Sequence, residues 1–80
     1  MKNTKGNRIQ AACTAIQIHM MTIGKHNEAY ANHAWILGRL DALRDHAGYL
    51  SSDQLDNEIV MALEAMPAVV REAYTEEMAK

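Results

Sequence analysis

The chain has no phenylalanine, one proline, one cysteine and one tryptophan in 80 residues. Each scarcity excludes something. A lone thiol, Cys13, rules out an internal disulfide and points to a reducing compartment. Scattered histidines beside that thiol make a structural zinc site hard to build. No apolar run reaches the roughly 20 residues needed to cross a bilayer. Lys2, Lys5 and Arg8 followed by apolar residues imitate a signal peptide, but Gln10, Gln17 and His19 interrupt the apolar stretch. A cytoplasmic protein with no membrane association is therefore expected. There is also no strand pattern, internal repeat or low-complexity stretch.

What is present is helical periodicity over one domain, residues 1–80. A chain this short buries only about 60% of the surface it exposes when unfolded, so its core is thin. The remaining staple is oligomerisation, a homodimer for instance, or a partner surface.

Four helical segments follow. The first runs over 7–23, with Ile9, Ala12, Ile16, Met20 and Ile23 on one face, Asn7 as N-cap and Gly24 as the glycine stop. Over 27–47, Ala29, His33, Ile36, Leu40, Leu43 and Ala47 form a heptad seam with one polar member, His33, and Gly48 ends the helix. Ser51 and Gln54 have the spacing of a capping box, flanked by Leu50 and Leu55 at the staple positions. Leu55, Ile59, Ala62 and Met66 continue the third segment until Pro67, which opens a fourth carrying Val70, Ala73 and Tyr74 and fraying from Glu76. The connections at 24–26 and 48–50 are short. The expected fold is all-α, a small antiparallel hairpin or bundle of three to four helices, behind a disordered basic arm at 1–6.

The search for chemistry returns little. His19, His26 and His33 are spaced by seven, about 10.5 Å along one helix, too far for two of them to share a metal from that helix. His33 reads as a hydrogen-bonded core histidine or as a polar residue that fixes register. Cys13 adjoins a core stripe and reads as a buried thiol without the base or oxyanion hole that a nucleophile needs. Asp41 with Asp45, and Glu72 with Glu76, read as solvated charge. No phosphate loop, nucleotide fingerprint or hydrolase elbow occurs. No enzyme activity, catalytic residue, metal or cofactor is expected.

Two surfaces are candidates for binding. Trp35, Arg39, Ala42 and His46 form a strip beside the second seam, with Trp35 and Arg39 spaced to stack. Tryptophan and arginine are enriched in interface hot spots, so Trp35, Arg39 and His46 are the expected partner-binding residues. The competing reading packs Trp35 into the chain's own bundle. Six methionines add adaptable apolar surface or fill gaps in the core.

The second surface is electrostatic. Residues 1–27 carry Lys2, Lys5, Arg8 and Lys25 and no acid, whereas seven acids lie in 51–80. Those four cations could touch nucleic acid or an acidic partner; the plainer reading is that the two ends attract each other within the fold or across a dimer.

Ala62-Leu63-Glu64-Ala65-Met66-Pro67 followed by Val70-Arg71-Glu72-Ala73 resembles the opening of the helix-turn-helix region of bacterial sigma factors. The likeness covers a dozen residues of generic helix-breaking pattern in an acidic segment, and no membership is drawn from it.

The sequence thus points to a non-enzymatic helical protein that binds, and regulates or inhibits, a larger macromolecular complex. Phage- or plasmid-encoded accessory proteins, including inhibitors of bacterial defence, share this size and style. The alternative is a small nucleic-acid-binding transcriptional regulator working through the basic arm.

Overall fold

The computed structural model describes residues 4–80. Lys2 lies outside them. Among the described residues four α-helices occur in chain order: α1 over Lys5–Ile23, α2 over Ala29–Ala42, α3 over Ser52–Glu64 and α4 over Ala68–Ala79. A 3₁₀ helix over Leu43–Tyr49 follows α2 directly. Among the described residues there is no strand, and the all-α bundle expected from the periodicity is what forms.

Helix α1 is the centre of the molecule and touches each of the other elements. Ile9, Ala12, Cys13, Ala15, Ile16 and Met20 are all buried, on an arc wider than a single stripe. The small residues Ala12 and Ala15 let neighbouring helices come close, and the isoleucines fill the space between. Ile36 and Leu40 of α2, Leu55, Ile59 and Leu63 of α3, Met66 and Val70 complete the core. Leu50 and Leu55, at the staple positions, are both packed into it.

The ends of the helices show where local chemistry was read correctly and where it was not. The capping box forms: the Gln54 amide N–H donates to Ser51 Oγ (3.0 Å), and the Ser51 N–H donates to Gln54 Oε1 (2.8 Å). Gly24 caps α1 at φ 81°, ψ 160°, a conformation that is essentially glycine's alone. Asn7, however, is not the N-cap. Thr4 takes that place, its Oγ1 accepting from the Asn7 N–H at 3.1 Å. Helix α1 therefore begins at Lys5, and residues 4–6 belong to the folded structure and not to a disordered arm.

The second helix does not run unbroken to 47. It tightens to 3₁₀ geometry at Leu43 and continues to Tyr49, past Gly48, whose φ is not positive. In α3 the inward positions are Leu55, Ile59 and Leu63, with Ala62 only half-buried. Pro67 caps α4 from outside its first turn, and α4 stays helical through Ala79 instead of fraying at Glu76.

Candidate interaction groove

Trp35 projects from α2 and remains 62% exposed, so it is not part of the chain's own core. One turn on, Arg39 sits with Cζ 5.0 Å from the Trp35 ring centroid, the cation over the π face. An exposed contact of this kind is worth about 0.5–1 kcal/mol. The pair stands above a depression between α2 and α3.

That depression has a volume of about 210 Å³. Trp35, Arg39 and Leu43 line one side; Glu58, Met61 and Ala62 line the other. Its floor is formed by Ile36 and Leu40, which are themselves core residues. Met61 is 67% exposed at the rim. The groove exists because α3 turns Leu55, Ile59 and Leu63 inward toward the core, leaving Met61 and Glu58 on its outer flank. Apolar walls, a flexible methionine and two opposite charges at the rim are features of a surface that receives other side chains.

His46 does not join this site. It is exposed in the 3₁₀ segment and does not line the groove. Met61 and Glu58 were not anticipated as site residues. Met61 lies one position before Ala62 on the expected seam, and its exposure follows from that phase.

The basic residues divide sharply. Arg8 is buried at 8% exposure. Its guanidinium pairs with Asp56 and donates to Ser52 Oγ at 3.0 Å. Lys5 Nζ donates to the Leu50 carbonyl oxygen. Both cations thus tie the start of α1 to the segment that opens α3, and the Arg8–Asp56 pair is an attraction between the basic and acidic parts of the chain of the kind the charge asymmetry suggested. Lys25 is exposed in the connection after α1. A second, more open depression contains Arg8, Ser52, Asp56, Tyr74, Thr75 and Met78, and its two charges are already spent on each other.

Cys13 is buried, and burial pushes its thiol pKa up, partly opposed by the positive charge of Arg44. His33 is also buried, yet neither ring nitrogen finds a hydrogen-bond partner, contrary to the hydrogen-bonded core histidine expected. Its neighbour is the His19 ring on α1, 5.0 Å away between centroids. Among the described residues no group of three His, Cys, Asp or Glu side chains is placed to hold a metal ion. No helix there is long and apolar enough to cross a membrane.

No family model matches the chain, and neither a curated protein nor a solved structure does.

Proposed function

We propose that this protein is a non-enzymatic helical interaction module whose α2–α3 groove binds a protein partner, and that it regulates or inhibits a larger complex by doing so. The observation that carries the reading is the stacked Trp35–Arg39 pair held at the rim of an apolar groove. Drug-sized ligands usually occupy pockets of about 300–1,000 Å³. A groove of about 210 Å³ suits one or two inserted side chains better. What recommends a phage- or plasmid-borne accessory role, inhibition of host defence included, is size and the lack of recognisable chemistry. Nucleic-acid binding has less support, because Lys5 and Arg8 are engaged within the chain.

The test is photo-crosslinking in native host cells from a benzophenone amino acid placed at Met61. A discrete crosslink to a different polypeptide that disappears when Trp35→Ala is added supports the reading. Crosslinks that are diffuse and indifferent to Trp35→Ala overturn it.

A further inference from the structure

The groove carries its own complement. Arg39 stands on the α2 wall and Glu58 on the α3 wall, both exposed. Among the described residues neither belongs to an ion pair, since those found join Arg8 to Asp56, Arg44 to Asp41 and Lys80 to Glu77. One cation and one anion thus face outward across an apolar floor, flanked by Trp35 and Met61 at 62% and 67% exposure.

A twofold axis placed over the mouth of such a groove brings Arg39 of one protomer to Glu58 of the other, and the reverse pair by symmetry. This is the self-complementarity that an isologous interface requires. The same operation turns each Trp35, on the wall that carries Arg39, toward the facing α3 wall, where Met61 is exposed. A nucleic acid would meet Glu58 at the rim, and a strongly acidic or basic protein would be repelled by one wall. A second copy satisfies both walls at once.

We infer that the α2–α3 groove is occupied by a second copy of this chain, in a symmetric dimer closed by two Arg39–Glu58 pairs around the two tryptophans. The inference rests on the reading of the groove as a protein-binding site and gives it a first occupant. An outside partner then competes with the second copy for the same surface, so the monomer is the form that binds and the dimer is its reserve.

Charge reversal tests this in the full chain. Wild type at tens of micromolar should show twice the chain mass by light scattering. Arg39→Glu alone and Glu58→Arg alone should each raise the dimer dissociation constant at least about tenfold, because each homodimer then faces like charge with like. An equimolar mixture of the two variants should restore the dimer, since every pair across the axis is again opposite in sign. Rescue by mixing cannot come from a pair within one chain. Both positions are exposed, and circular dichroism should show unchanged helicity. As a measurement free of substitutions, emission from the lone tryptophan should shift to the red on dilution. A wild type that is monomeric throughout, single variants that dimerise as wild type does, or a mixture that stays monomeric overturns the inference. In each of those cases a Trp35-dependent crosslink from Met61 to a different polypeptide still stands, so the two readings fail separately.

Discussion

His33 of α2 and His19 of α1 face each other with ring centroids 5.0 Å apart and planes inclined at 39°, and His33 has no hydrogen bond at either nitrogen. An unsatisfied buried polar group costs about 1–3 kcal/mol. Burial pushes the His33 pKa below its ordinary 6.5, and positive charge on His19 pushes it the same way. The unfolded chain therefore binds the proton more readily than the folded one, and stability falls as pH is lowered through about 6.5. Urea unfolding at pH 7.5 and 5.5 should show this loss. His33→Leu should be more stable than wild type at neutral pH by about 1–2 kcal/mol, and its stability should vary less between those two pH values. A leucine variant less stable than wild type would mean that the imidazole is satisfied in solution.

The clamp between α1 and α3 gives a second expectation. Arg8 is buried, so Arg8→Ala loses packing along the side-chain stem and strands the polar groups it meets, for a cost of about 1–3 kcal/mol. Asp56 is largely exposed, and Asp56→Asn should cost less, within about 1 kcal/mol. Lys25→Ala, at an exposed site, should fall within about 0.5 kcal/mol of wild type. Thermal melts of the three variants rank them directly. Salt-sensitive, sub-micromolar binding of DNA or RNA that Lys25→Ala abolishes would instead revive the basic surface as a functional one.

The groove and the core should separate cleanly by mutation. Trp35→Ala combined with Arg39→Ala is expected to weaken partner binding by at least about 2 kcal/mol, the scale of a hot spot, with little change in the melting temperature of the dilute, monomeric protein. Leu40→Ala, at 3% exposure, should cost about 2–5 kcal/mol of stability as a core truncation. Calorimetric melting of both variants decides the assignment, and loss of fold on truncating Trp35 would return that residue to the core.

Ser51→Ala tests the best-formed local motif. Removing the hydroxyl leaves the Gln54 N–H without its capping acceptor and should cost about 1 kcal/mol in denaturant unfolding.

Cys13 should resist alkylation until the bundle opens, because its thiol is buried and its pKa is raised by that burial. Labelling by iodoacetamide is expected to accelerate sharply across the unfolding transition. Fast labelling of the native protein would place the thiol at the surface.

Much of the bundle was legible in sequence, for reasons that differ by residue. Ser51 and Gln54 could be recognised because a capping box is closed by residues three apart. The outer strip was also readable, since Trp35 and Arg39 are neighbours on one helix face and their distance from the seam follows from 100° per residue. What failed depends on partners far along the chain. For Arg8 the charge asymmetry allowed an outside partner or attraction between the chain ends, and only its meeting with Ser52 and Asp56, 44 and 48 residues on, makes it a buried clamp. The pairing of His19 with His33 was hidden in the same way, because spacing along one helix says nothing about rings that meet across two. Asn7 satisfied the capping rule as well as any residue there, but Thr4, three positions earlier, is the one whose hydroxyl accepts the free N–H. Glu58 entered the site through the phase of α3, where Leu63 rather than Ala62 turns fully inward.

The switch to 3₁₀ geometry after Ala42 sets a ruler between the two walls of the groove. Seven residues at about 2.0 Å of rise cover roughly 14 Å, against roughly 10.5 Å for the same residues in an α-helix. They also turn by about 120° per residue instead of 100°, so the two forms deliver the chain to Leu50 some 140° apart in azimuth. Length and phase of this one segment thus decide whether Leu50 and Ser52 arrive beside Lys5 and Arg8. One residue added to or removed from Leu43–Tyr49 alters the span by only a couple of ångströms but rotates the exit by a third of a turn. The segment is the molecule's gauge of register, and insertions there should be tolerated far less well than in an ordinary connection on the surface.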